Sequence, residues 1–129
     1  MRHARIIAFL ALVLAGPTWA QDLESFKVRD AGSLARLCST AESNPLFGEA
    51  RQFCYGFIAG AGSMYRETVA AGAISPTICA RREPTLEQIR MAFVDWLARN
   101  PQASRQAPVD AVFRAAATTW PCPQESLAQ

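Results

Sequence analysis

The strongest constraint on this chain is a helical stripe through its middle. Phe47, Ala50, Cys54, Phe57, Ile58, Ala61, Met64, Tyr65 and Val69 recur at three- and four-residue intervals. That is the spacing of one face of an α-helix, sustained over about six turns. Ahead of it, Asn44 offers an N-cap and Pro45 a first helical residue whose missing N–H costs nothing there. Gly72, with Pro76 beyond it, gives the stop. The predicted element is a long central helix against which the rest packs. A second row on it, Gly56, Gly60 and Ser63, is made of small residues. Glycine inside a helix costs about 1 kcal/mol relative to alanine, so this row predicts close backbone approach by a neighbouring helix, or a local bend. A phosphate-cradling loop does not fit. Gly56, Gly60 and Gly62 do not make Gly-x-Gly-x-x-Gly, and no Gly-Lys-Ser/Thr follows.

Three further helices are legible around it. Asp30 or Ser33 is placed to cap a short one carrying Leu34, Leu37 and Cys38 on one face. Thr85-Leu86-Glu87-Gln88 has the pattern of a capping box, and opens a helix whose apolar stripe is Leu86, Ile89, Phe93, Trp96 and Leu97. Glu87, Arg90 and Arg99 are expected on its outward side, and Asn100-Pro101 ends it. A polar hinge over residues 102–106 leads to Pro108, the expected first residue of the last helix. Its apolar face is Val109, Val112, Phe113, Ala116 and Trp120, and Pro121-Cys122-Pro123 stops it. Nothing alternates over a strand's length, and there are no internal repeats. The expected class is all-α, a small bundle of four main helices whose short connections make neighbours antiparallel.

The first twenty residues set the compartment. Arg2, His3 and Arg5 precede the apolar run Ile6 to Leu14, and Ala15-Gly16-Pro17-Thr18-Trp19-Ala20 follows. A basic start, a short apolar middle and a small final residue are the pattern of a secretory signal peptide, here expected to be cleaved after Ala20. The run is too short to cross a bilayer, which takes roughly 20 residues. Loss of residues 1–20 removes Arg2 and Arg5, so the 13 basic residues fall to 11, against 11 acidic ones. A near-neutral chain has no concentrated basic face for nucleic acid. The only histidine, His3, leaves with the signal, and Ser-His, Cys-His or His-ligated zinc chemistry leaves with it. No cofactor, metal site or catalytic residue is expected. Glu67, Glu87 and Asp95 are the carboxylates that paired glycan chemistry would draw on, but carboxylates on amphipathic helices are ordinarily solvated.

About 109 residues remain after the signal, and they contain all four cysteines: Cys38, Cys54, Cys79 and Cys122. An even count in a small exported chain predicts two disulfides. A Cys₄ zinc site would bring close Cys-x-x-Cys pairs, whereas the separations here are 16, 25 and 43. Four cysteines allow three connectivities, and sequence alone does not choose among them. Antiparallel order favours Cys38–Cys54 at one end of the bundle and Cys79–Cys122 at the other. The segment between Thr77 and Pro84 carries Arg81, Arg82 and Glu83. A charged loop pinned by Cys79 is a reasonable probe for a partner's cleft, or simply a solubilising surface.

Several separated motifs together carry a resemblance. They are Leu34-x-x-Leu37-Cys38, Cys54-Tyr55-Gly56-Phe57-Ile58-Ala59-Gly60, and Cys79 with Thr85-Leu86-x-Gln88. Trp96-Leu97-Ala98-Arg99-Asn100-Pro101 and Ala115-Ala116-Ala117-x-x-Trp120-Pro121-Cys122-Pro123 complete the set. In this order and spacing, from about Asp30 to Pro123, the chain resembles the Rap/Tai family of small exported immunity proteins associated with type VI secretion. The resemblance implies an all-α periplasmic binding protein, not an enzyme, often dimeric, that blocks a peptidoglycan-cleaving amidase. It also implies a fold similar to the HdeA-like periplasmic acid chaperones, so a stress-protein or envelope role without a toxin partner is the alternative. The expected organisation is a signal peptide (1–20), an N-terminal arm (21–29), the helical domain (30–123) and a flexible tail (124–129), with no membrane attachment once the signal is gone.

Overall fold

The computed structural model describes Glu24 and residues 26–123. The expected signal peptide and the tail from residue 124 lie outside the described residues. Four α-helices form the domain: α1 (Ala31–Cys38), α2 (Phe47–Ala70), α3 (Leu86–Arg99) and α4 (Pro108–Thr119). A 3₁₀ turn, Pro101–Arg105, links the last two. Among the described residues there is no strand, only an isolated antiparallel bridge between Ile78 and Pro121.

Local chemistry explains most of the boundaries. Both candidate caps of α1 act together: the Asp30 carboxylate accepts from the Ser33 N–H at 2.7 Å, and the Ser33 hydroxyl oxygen accepts from the Asp30 N–H at 3.0 Å. The Thr85–Gln88 box closes the same way, with bonds of 3.2 and 2.9 Å. At the end of α2, Gly72 takes φ 69°. The Ala73 N–H returns to the Thr68 carbonyl and the Gly72 N–H to that of Val69, at 3.1 and 2.9 Å. This is a Schellman stop, which a residue without Cβ adopts freely. Asn44 behaves differently from the sequence expectation. Its side-chain oxygen accepts from the Leu46 N–H at 2.8 Å, making a turn one step ahead, and α2 begins at Phe47 with no side-chain cap.

The core is built from one face of each helix. Leu34 and Cys38 of α1, Cys54 and Ile58 of α2, Phe93 and Leu97 of α3, and Ala111, Val112 and Ala115 of α4 form one buried cluster. Disulfides join Cys38 to Cys54 in that core and Cys79 to Cys122 nearer the surface, where Cys79 is exposed. The expected polar hinge is a packed element. Ala103 is buried, the Gln106 carbonyl accepts from the Ala31 N–H at 2.9 Å, and a Cβ on Gly32 would stand 3.3 Å from both Cβ and O of Ser104. Gly32 is thus a glycine required by close backbone approach.

The glycine row on α2 is not. A Cβ at Gly56 or Gly60 would meet nothing within 4 Å, and both residues face solvent. Helical geometry supplies the reason. At 3.6 residues per turn, Gly56, Gly60 and Ser63 stand roughly half a turn away from the Cys54–Ile58–Ala61–Tyr65 line that meets the core. Met64, expected in the stripe, sits about 90° off that line by the same geometry and is 68 % exposed. Leu86 and Val109, in the first turns of α3 and α4, are also exposed rather than inward. With open space at each site, Gly56→Ala and Gly60→Ala are expected to raise stability by about 0.5–1 kcal/mol apiece. Thermal unfolding of the single and double variants measures this; a loss of stability would show a neighbour that the isolated chain does not have.

Candidate partner-binding surface

Two polar constructions decorate the helical frame, one between helices and one on a loop. The first centres on Glu87. Its Oε2 accepts from the Tyr55 hydroxyl at 2.7 Å, Arg90 Nε at 2.7 Å and Arg51 Nη1 at 3.3 Å, while Oε1 accepts from Arg90 Nη2 at 2.6 Å. Arg90 Nη1 also donates to the Cys38 carbonyl at the end of α1, at 2.6 Å. One cluster thereby ties three helices together, and the Arg51 guanidinium lies over the Phe47 ring at 4.7 Å. Glu87 and Arg90 were expected to look outward, yet the Arg90 side chain is only 14 % exposed. The sequence does contain the i, i+3 Glu–Arg pair; the α1 carbonyl and Tyr55 are added by tertiary packing.

The Arg90 and Tyr55 hydrogen bonds hold the Glu87 carboxyl down at about 2, against 4.5 for an ordinary glutamate. A carboxyl lowered by folding stabilises the native state above its unfolded value, and that contribution is lost as pH falls from about 4.5 through about 2. Glu87→Gln is therefore expected to be destabilising at pH 7. Its difference from the parent should shrink as the urea midpoint is followed from pH 5 toward pH 2. A pH-independent difference would mean that charge is not what holds the cluster.

The second construction is the loop between α2 and α3. The Tyr65 hydroxyl oxygen accepts from the N–H groups of Thr77 and Ile78, at 2.7 and 3.1 Å. The Cys79 N–H donates to the Trp120 carbonyl at 2.9 Å, beside the Cys79–Cys122 bond. Tyr65 itself is steadied by stacking at a tilt on Phe113, centroids 5.2 Å apart. Residues 77–79 are held from two helices, and the charged residues beyond them project. Arg81, Arg82 and Glu83 are all exposed. Glu83 faces Arg66 of α2 at 3.7 Å, whereas Arg81 and Arg82 make no ion pair among the described residues. Of the three, the structure brings only Glu83 to another charged group. The tyrosine that pins the loop had no sequence signal beyond its place in the apolar stripe.

Other chemistry is sparse. Glu67 and Asp95 are exposed on separate helices, and no three His, Cys, Asp or Glu side chains converge among the described residues. None of the described helices is long and apolar enough to cross a membrane. These features define a class: a small, disulfide-stapled, all-α domain that presents a pinned, arginine-bearing loop.

Residues 30–122 match the Rap1a immunity proteins. The match spans nearly the whole helical domain, and the chain belongs to that family. Comparison with curated proteins and with solved structures gives no match.

Proposed function

We propose that this chain is exported through a signal peptide cleaved after Ala20 and acts in the periplasm by binding and blocking a peptidoglycan amidase delivered by type VI secretion. Membership of the Rap1a immunity proteins carries the reading. The mature chain, residues 21–129, offers binding surface and no nucleophile–base pair, so its task is occlusion rather than catalysis. The two disulfides suit an oxidising compartment.

The contact is assigned to Arg81, Arg82 and Glu83. A loop pinned by Tyr65, a backbone bridge and a disulfide loses little further entropy on docking. Arginine is also among the residues that most often dominate interface energies. The open Gly56–Gly60–Met64 face of α2 would serve pairing of two copies, since helix backbones approach closely over glycine. The test is titration of the purified protein into a type VI peptidoglycan amidase, sought first among the products of neighbouring genes, with peptidoglycan cleavage as readout. Cleavage should be suppressed stoichiometrically, and Arg81→Glu with Arg82→Glu should weaken binding by about thirtyfold or more. Undiminished cleavage at saturating protein would remove the immunity reading; unchanged affinity in the charge variant would move the contact elsewhere.

The acid-chaperone alternative requires the helices to open as carboxylates titrate. The Glu87 cluster is the feature that fits it, because its contribution to the native state is lost between about pH 4.5 and about 2; suppression of client aggregation near pH 2–3 and not at pH 7 would favour that reading.

A further inference from the structure

Past its anchors at residues 77–79, the backbone of the 76–84 loop is free. Residues 80–83 lie outside every helix, and among the described residues none of their N–H or carbonyl groups is hydrogen-bonded. Arg81 and Arg82 are exposed there. That sets them apart from the other basic residues of the described chain. The remaining arginines from Arg36 to Arg114 sit in α-helices or, for Arg105, in the 3₁₀ turn. Nearer the start, the Lys27 N–H donates to the Glu24 carbonyl and the Arg29 N–H to the Ser33 hydroxyl oxygen. A peptide enters an endopeptidase as an extended strand that pairs through its own N–H and C=O groups. A helical segment must first unwind to do so, at the free-energy cost of local opening; the Arg81–Arg82 segment has no backbone bonds to give up.

We propose that the Arg81–Arg82 bond is an endoproteolytic processing site, cut by an arginine-specific endopeptidase to a two-chain form that the Cys79–Cys122 disulfide holds together. Water adds to the Arg81 carbonyl carbon and the C–N bond breaks. Arg81 then ends in a carboxylate, and the Arg82 nitrogen takes the proton to become a new α-ammonium group. Charge selects the bond. A pocket that accepts arginine carries a carboxylate, and Glu83, directly after Arg82, is repelled beside it, whereas the Arg81–Arg82 bond has a cation on either side.

The staple straddles the cut. Cys79 stays with the piece that holds α1 and α2, and Cys122 with the piece that holds α3 and α4. The Cys38–Cys54 bond lies within the first piece alone. The two pieces also share one core, in which Ile58 belongs to the first and Phe93 and Val112 to the second. The bonds from Thr77 and Ile78 to Tyr65 lie wholly on the first piece, and the Thr85–Gln88 box wholly on the second. The domain therefore keeps its shape while Arg82 and Glu83 lose their rigid presentation. Weaker amidase binding by the cut form rests on the loop contact proposed above; the cleavage itself does not.

Limited digestion of the purified, oxidised protein with a trace of trypsin tests this. The first product should have the parent's intact mass plus one water without reductant, and separate into two pieces with it. N-terminal sequencing should find the second piece beginning at Arg82, and far-ultraviolet circular dichroism should be unchanged. Arg81→Gln with Arg82→Gln should melt as the parent does, both side chains being exposed, and survive digestion about tenfold longer, because cleavage then waits on local opening elsewhere. A first cut at residues 27–29 or within a helix would overturn the site, as would undiminished cleavage of the Gln variant. A second piece beginning at Glu83 would overturn the assignment of the bond. Loss of helical signal with the first cut would overturn the two-chain form, since the cut would then be the start of degradation.

Discussion

Phe93→Ala is expected to lower the free energy of unfolding by about 3–5 kcal/mol, the range for truncating a fully buried aromatic. Phe93 is 0 % exposed and is the largest of the completely buried side chains. It stands in α3 within a buried cluster that includes Leu34, Cys38, Ile58, Leu97 and Val112, to which all four helices contribute. Alanine would forfeit transfer free energy and leave a cavity in a cluster that also holds the disulfide-bonded Cys38 and Cys54, a covalent link that limits collapse. A domain of this size has about 5–15 kcal/mol in all. Urea unfolding followed by far-ultraviolet circular dichroism should show a large drop in midpoint with an unchanged slope. A loss below about 1 kcal/mol, far under the usual range, would mean that the core closes around the gap.

Cys79→Ser with Cys122→Ser should produce the next largest effect, about 4 kcal/mol on the chain-entropy account of a 43-residue separation. The site is a clean one for that account. Cys79 is exposed and Cys122 half-buried, so serine brings little desolvation penalty, unlike the buried Cys38–Cys54 pair. The shorter separation of 16 corresponds to about 3 kcal/mol by the same account. Because residues 77–79 keep their bonds to Tyr65 and Trp120, the double variant should remain helical while the 76–84 loop loosens. Equilibrium unfolding in urea, with and without a dithiol reductant on the parent, separates the two contributions. If affinity for the proposed amidase partner fell in the double variant, the staple would also be what preorganises the loop. A change in stability below about 1 kcal/mol would mean that the unfolded chain gains little freedom from losing this link.

Much of the frame follows from short-range pattern. The box at Thr85–Gln88, the paired caps Asp30 and Ser33, the Gly72 stop and Pro108 at the head of α4 are each set by residues within one helical turn. What the pattern does not carry is facing. The small residues of α2 suggest a neighbouring helix or a bend, yet their angular position lies opposite the apolar line and the space beside Gly56 and Gly60 is open. Gly32 had no such angle to betray it, because its partner Ser104 is 72 positions away.

From its sequence alone this protein was determined to be a four-helix, all-α domain with two disulfides, since periodicity, caps and cysteine count act locally or through composition. Only the tertiary structure decided that Arg90 reaches the Cys38 carbonyl, that Tyr65 pins the loop carrying Arg81 and Arg82, and that the face with Gly56 and Gly60 stays open. Each of these depends on groups distant in the chain meeting within a few ångströms. That juxtaposition is set by how helices pack against one another, and no local pattern encodes it.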